Sequence, residues 1–386
     1  MLYSDVNSRW GWPPWEIEFT PPARPLPDKT DIAIVGGGFT GLAAAAWLRL
    51  LAPEKSVVVL EAARIGAGAS GRTGGMVLAE TAAGDLPGLG DVLGGFQKIL
   101  RKLDVACDLS LPGAWEIGRK GGLPQSSIEW TDSGTLRVVK EVPGGMLDPG
   151  KLVSGLARAA ETRGAIIFEN APVKTIQWST NPKLELARAV GGVQSITAEK
   201  ILLAANAFPI ALAGLDEDAH PRLTLAALTA PLAERDLQSA GLAARKPFYT
   251  ADLPYLWGRV RHDNSIVWGA GLVSAPDEKN VEEAQISSAD AAQMFSSLEK
   301  RVHALHPAFR SVTFTHRWGG PILFRDDWRP VFDFHPGCKN AIVLGAYAGH
   351  GVALSSYLAA WAAEIFLGKR ALPAWGKIAR RGRAGV

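Results

Sequence analysis

Residues 31–61 constrain the fold more than any other stretch of the chain. Ile32 to Val35 is a short, wholly apolar run that reads as a buried strand. Gly36, Gly38 and Gly41 follow in the order G-x-G-x-x-G, with Phe39 and Thr40 between the last two, and open an alanine-rich helical segment that Pro53 stops. Val57 to Leu60 is a second buried run, closing on Glu61, twenty residues beyond Gly41, with Ala62 beside it. Each part has a task in holding a dinucleotide. Gly36 permits the tight turn, Gly38 lets the backbone approach a pyrophosphate, and Gly41 lets helix and strand pack closely. The helix N-terminus offers free N–H groups and partial positive charge to the phosphates. Glu61 is placed to accept from ribose hydroxyls.

The chain has 386 residues, enough for two domains, with 47% hydrophobic and 20% charged residues. A net charge of +3 is too small to argue for nucleic acid or for an acidic partner. The two cysteines, Cys107 and Cys338, fit neither a disulfide framework nor a metal-ligand pattern, so no metal site is expected and a reducing, cytoplasmic setting is. No basic-then-apolar leader is visible. The apolar stretch from Ala341 to Leu367 is broken by Gly345, Gly349 and Gly351, and reads as strand, turn and helix rather than a membrane span. Trp10, Trp12 and Trp15 crowd a proline-rich arm over residues 1–29, expected to drape over the globule as extended chain, and its pattern points to no function.

Gly66, Gly68 and Gly71 make a second formal G-x-G-x-x-G, but no strand leads into it and no apolar helix follows. Gly269-Ala270-Gly271 reads as a strand end. One nucleotide fold is therefore expected. Within the loop Ser70, Gly71, Arg72, Thr73, Gly74, Gly75 and Met76, small residues expose N–H and hydroxyl donors and one guanidinium, a set suited to phosphate. Further along, Val92 to Leu109 and Leu152 to Thr162 read as helices, and the runs beginning at Ala165, Val173 and Lys200 as strands, the last ending in Ala205-Asn206-Ala207. Tyr255 to Arg261 and Ile266 to Gly269, joined by the turn 262–265, read as a hairpin, and Ala284 to His303 as a polar-faced helix. The last buried strand, from Ala341, turns through Gly349, His350, Gly351 and Val352 into a helix ending at Phe366.

With these pieces in view the chain resembles the D-amino-acid oxidase superfamily of FAD-dependent oxidoreductases, and within it the gamma-glutamylputrescine oxidase branch, from Asp31 to about Gly368. The most specific element is Gly68-Ala69-Ser70-Gly71-Arg72-Thr73-Gly74-Gly75, similar to that branch's G-A-S-G-R-N-G-G with Thr73 in place of asparagine. The Gly349-His350-Gly351 turn is similar to the family's flavin-ring loop. The resemblance implies an α/β architecture: a Rossmann-type FAD-binding domain (30–85, 147–212 and 318–370) and an α+β substrate domain on an antiparallel sheet (86–146 and 213–317). The remainder is the arm and a basic, solvated tail, 371–386. It implies FAD lying extended, with the adenosine at Glu61 and Val173, the pyrophosphate over the glycine turn, and the ring between the domains. With no His or Cys between Glu61 and Gly75, it implies non-covalent FAD.

The implied reaction is oxidation of a C–N bond in an amine or amino acid, by hydride transfer to the flavin, the imine then being hydrolysed; molecular oxygen or an electron carrier takes the electrons. His350 could add a donor beside the ring, or be an ordinary core histidine. Tyr255, Trp257 and Tyr347 could cage an amine, and Arg259 or Arg329 could clamp a carboxylate. The alternatives are a dehydrogenase of this fold with a non-oxygen acceptor, a nucleic-acid-associated flavoprotein, or a flavin-binding protein without turnover. Neither a nucleic-acid nor a membrane partner is expected.

Overall fold

The computed structural model describes residues 6–187, 193–215 and 217–378. Its helices in chain order are α1 (Val6–Trp10), α2 (Phe39–Leu51), α3 (Val92–Leu103), α4 (Pro149–Thr162), α5 (Glu234–Ser239), α6 (Ala289–Leu305) and α7 (Gly351–Phe366). Among the described residues none is long and apolar enough to cross a membrane.

The first sheet carries the dinucleotide topology. Lys29–Val35 lies at its centre, parallel to Val57–Leu60 on one side and to Val193–Leu203 on the other. Ile166–Phe168 extends it in parallel beyond Val57–Leu60. Cys338–Gly345 adds a parallel strand beyond Val193–Leu203, and Val331–His335 an antiparallel edge. Parallel strands buried on both faces must be apolar throughout, which is why Ile32 to Val35 and Val57 to Leu60 show no alternation. Ala43 to Ala46 are fully buried in α2 and let that helix pack close beside α4 and α7.

The second sheet has eight strands, in the order Phe314–Phe324, His220–Thr229, Ile266–Val273, Trp257–Val260, Phe248–Thr250, Ala114–Gly118, Thr135–Val142 and Glu129–Thr131. It is antiparallel except where Phe248–Thr250 runs parallel to Ala114–Gly118. Trp130, Phe248, Trp268 and Phe309 form a buried aromatic cluster on one of its faces. The expected hairpin is present, with Trp257 opposite Gly269 and Val260 opposite Ile266.

The structure departs from the sequence expectations at several places. Strand Phe314–Phe324 runs unbroken past residue 317, so the second sheet reaches into the stretch expected to return to the first domain. Helix α3 stops at Leu103 rather than Leu109, because Asp104 turns left-handed (φ 58°) and the Val105 N–H closes the end on the Leu100 carbonyl. Its apolar face packs on α7 and α2, with the dinucleotide fold. Helix α6 begins at Ala289, where the Ser288 side chain accepts from the Ala291 N–H. The arm is not wholly extended: α1 is helical and Trp10 is fully buried. The expected solvated tail begins as packed chain, with Trp375 and Ile378 buried and the Lys377 ammonium 3.1 Å from Asp333. Arg380, Arg381 and Arg383 lie outside the described residues.

Candidate active site

One cavity of about 1090 Å³ runs between the two sheets. At one end it is lined by Gly36, Gly38, Phe39, Thr40, Glu61, Ala62 and Val173, and at the other by Glu80, Glu116, Tyr249, Tyr255, Trp257 and His350.

The glycine turn follows its sequence logic closely. Gly36 has φ +112°, open to glycine alone, and a Cβ there would lie 2.7 Å from the Ala204 carbonyl oxygen. A Cβ on Gly41 would sit 1.9 Å from the Gly36 carbonyl oxygen, so α2 can approach its strand only without one. Gly38 caps α2 with no side-chain hydrogen bond, and Ser70 Oγ reaches over to accept from the Phe39 N–H at 2.9 Å. The second glycine set is therefore a loop laid on the first: the Gly66 N–H donates to Gly37 and the Gly71 N–H to Gly66.

Glu61 Oε2 accepts from the Gly37 N–H at 2.7 Å and Oε1 from the Ala63 N–H at 2.9 Å. Burial pushes its carboxyl above the ordinary glutamate range despite those bonds. Hydroxyl donors supplied by a ribose would favour the ionised form.

Asn206 stands at the neighbouring strand end with φ +52°, its Oδ1 accepting from the Ala346 N–H at 2.9 Å. It thereby ties together two chain segments that line the cavity, and Ala205 lines it beside them. Gly349, Gly351 and Val352 bring the N-terminus of α7 to the wall. That end offers roughly half a positive charge to an anion. In the first turns of the same helix the Ser355 hydroxyl is buried in the cavity wall without a protein partner among the described residues. Tyr347 also lines the cavity, its hydroxyl 2.8 Å from Thr40 Oγ1, and burial raises its pKa.

Other expected site residues fall elsewhere. Arg72 lines the cavity but gives its N–H groups to main-chain carbonyls: Nε to Ala67 at 3.0 Å, and Nη1 to Gly11 at 2.9 Å and Gly319 at 3.1 Å. Nη2 donates to the Asn7 side chain. It is thus a staple within the protein rather than a free phosphate donor, and burial lowers its pKa to about 10. Arg259 is buried outside the cavity lining and donates to the Gly74 carbonyl. Arg329 is exposed and away from the cavity, its N–H donating to Asp327. Neither arginine is placed to clamp a carboxylate there. Gly41, Gly71 and Gly75 shape the loops behind the wall without lining it.

Thr73, Gly74 and Met76 do line it, Thr73 Oγ1 accepting from the Gly75 N–H at 3.4 Å. The Trp257 ring lies over Gly74 and Gly269, where a Cβ would come within 2.2 and 2.0 Å of it. Tyr255 lines the same end with over half its surface exposed. His350 Nδ1 is 3.3 Å from the Ala348 carbonyl, which fixes the proton on Nδ1 and leaves Nε2 as an acceptor. Burial depresses its pKa, with Glu80 pulling the other way, so the ring is neutral near pH 7.

Sequence reasoning missed the group that gives this end its charge. Tyr249 Oη lies 3.2 Å from Glu80 Oε1 and 3.5 Å from Glu116 Oε2, all three in the cavity wall. Burial and the two carboxylates push the phenol pKa upward, so it remains a donor. Glu80 follows the short strand Met76–Leu78, while Glu116 and Tyr249 are paired neighbours on adjacent strands of the second sheet. No spacing rule joins them. Trp10 and Phe208 were also missed, although the tryptophan density of the arm was a signal that could have been followed.

The cradle fits FAD. It has a glycine turn at a helix N-terminus, an acid with acceptor capacity for ribose, an orphaned serine hydroxyl, and a cavity that leads from that acid to a second pocket. The two cysteines lie outside its lining.

The fold and this cradle define a dinucleotide-binding oxidoreductase. Residues 31–365 match the model of the FAD dependent oxidoreductase (DAO) family, and the chain belongs to that family. It is similar to the probable oxidoreductase OrdL of Rhizobium meliloti, 24% identical over 422 residues, covering 95% of this chain and 90% of the relative. It is also similar to the gamma-glutamylputrescine oxidoreductase of Escherichia coli, 25% identical over 386 residues and covering 88% and 84%. Its fold matches glycine oxidase from Geobacillus kaustophilus with TM-score 0.69 at 18% identity, over 92% of this chain and 100% of that one. It is an FAD-dependent oxidoreductase.

Proposed function

We propose that the chain oxidises a C–N bond of a cationic amine, and that an aliphatic diamine or a similar compound without a carboxylate near the reacting nitrogen is its preferred substrate class. The observation that carries this is the charge of the far pocket. Glu80, Glu116 and Tyr249 stand in its wall, and the Arg72 guanidinium is committed to carbonyl groups. A carboxylate entering there would meet two like charges and no free guanidinium. An ammonium group would meet two acceptors, with the aromatic side chains of Trp257 and Tyr255 in the same wall. That one curated relative is named for gamma-glutamylputrescine, an amine, supports the same reading.

FAD when bound accepts the hydride. The chain's own residues bind, orient and exclude water. Glu80 and Glu116 hold one cationic end of the substrate. His350 Nε2, with its ring neutral, takes a proton from the reacting ammonium so that the amine lone pair is free as hydride leaves carbon. The α7 N-terminus, at the cavity wall, would favour negative charge on a flavin held beside it. The resulting imine is hydrolysed by water.

The test is anaerobic bleaching of the yellow protein by aliphatic diamines, N-methyl amino acids and D-amino acids of matched length. Diamines are expected to bleach at least about tenfold faster, a difference of roughly 1.4 kcal/mol. Faster bleaching by either amino-acid class would overturn the charge argument. Peroxide yield with air as sole acceptor then separates an oxidase from a dehydrogenase.

A further inference from the structure

We propose that the arm segment Val6 to Trp15 is a clamp for the adenosine half of the cofactor, so that it sets the preference for FAD over the shorter flavin mononucleotide. Val6 and Trp10 line the cavity with Phe208, Val173 and Glu282. Phe208 lies against Gly68, Glu282 feels the charge of Lys174 beside Val173, and the Ala171 N–H two residues before Val173 donates to the Glu61 carbonyl, which sets this group toward Glu61. The Trp10 ring is fully buried, tilted against Phe208 at 5.6 Å, and its Nε1 donates to the Ala284 carbonyl at 2.8 Å. Arg9 Nη1 donates to the Glu282 carbonyl at 2.8 Å, and the Ile286 N–H to the Arg9 carbonyl at 2.9 Å. The segment is thus pinned at Arg9 and Trp10 to residues 282–286.

It is pinned equally to the cofactor loop. Arg72 bonds the Asn7 side chain and the Gly11 carbonyl and lies 5.5 Å from the Trp10 ring centroid. Trp15 Nε1 donates to the Gly71 carbonyl at 2.7 Å, and Trp318 Nε1 to the Arg72 carbonyl at 2.9 Å. The loop whose Ser70 caps α2 is therefore held from behind by the arm. A buried guanidinium satisfied by neutral carbonyls is an expensive arrangement on its own. Beside a cavity that receives a diphosphate, its charge has a counterpart. The arm supplies the acceptors that keep that charge at the wall.

The adenosine half is absent from flavin mononucleotide, so the two flavins separate a local clamp from a general loss of structure. Full-length Trp10→Ala, Trp10→Phe and Val6→Asp would be stripped of flavin and titrated with each, following quenching of flavin fluorescence. For Trp10→Ala we expect FAD to bind at least about tenfold more weakly, with flavin mononucleotide changed by less than about twofold. Trp10→Phe should restore most of the FAD affinity. Val6 is only partly buried at the edge of its core cluster, so Val6→Asp tests the same wall with less loss of packing than Trp10→Ala, and should lose FAD affinity selectively. Unchanged FAD affinity in Val6→Asp and in a folded Trp10→Ala would overturn the proposal. So would an equal loss for both flavins. If Trp10→Ala does not fold, Val6→Asp decides alone.

Discussion

The two ends of the cavity were built by different rules. At the glycine end, the turn and the acid come from one continuous stretch, Gly36 to Glu61, whose spacing is set by a strand, a turn and a helix, and Ser70, Val173 and the arm close around it. At the far end, Glu80, Glu116, Tyr249, Trp257 and His350 come from five separate segments, brought together by two sheets and a helix N-terminus. The first end is a local solution set by strand, turn and helix together. The second is specific to how this chain packs. Shared architecture therefore travels with the glycine end, and the proposed substrate preference rests on the far end.

The sharpest way to break this contrast is Gly41→Val. With a Cβ 1.9 Å from the Gly36 carbonyl, α2 must withdraw from its strand. The variant should lose FAD by about a hundredfold or more, or fail to fold, as read from the flavin-to-protein absorbance ratio and by thermal melting. Tight FAD binding in Gly41→Val would mean that the glycine end is less rigid than its geometry requires.

Glu80→Gln addresses the other end. It should lower kcat/KM for a diamine by about ten- to a hundredfold while leaving FAD affinity unchanged, because a partly desolvated charge pair contributes roughly 1.5–3 kcal/mol. Steady-state kinetics beside a flavin titration would show it. Equal effects on substrate and cofactor would erase the division between the ends.

The smallest effect is expected from pH on the flavin-free protein. The folded chain holds the Glu61 proton more tightly than the unfolded chain does, since burial raises its pKa. Below the unfolded value of about 4.3 both states are protonated and the term vanishes. As pH rises through the gap between the two values the unfolded state ionises first, so the apo protein loses stability, and the loss levels off above the folded value. Glu61→Gln should remove that part of the slope in melting temperature, and saturating FAD should flatten it in the unsubstituted protein.

The fold was legible where local patterning sufficed. The Rossmann strands, α2, α4, the hairpin around residues 262–265 and α7 each carry a period or a stop signal close to its observed position. The lining of the candidate site was legible to the same depth, since Gly36, Gly38, Glu61, Ser70, Asn206 and His350 all face the cavity. The arginines were not. Arg72, Arg259 and Arg329 carry the same charge in the sequence, yet one staples the arm, one holds Gly74 and one faces solvent. Which carbonyl a guanidinium meets depends on chain segments far away in sequence; the Arg72 to Gly319 bond spans 247 positions.

By itself, then, the sequence determined the dinucleotide cradle, because a turn that needs a bare Cα and a helix that needs a close neighbour leave their marks within thirty residues. Only the tertiary structure decided which side chains face the far pocket and what the arm packs against. Carboxylates and indole rings acquire those roles from what the packing sets opposite them, and no interval along the chain records it.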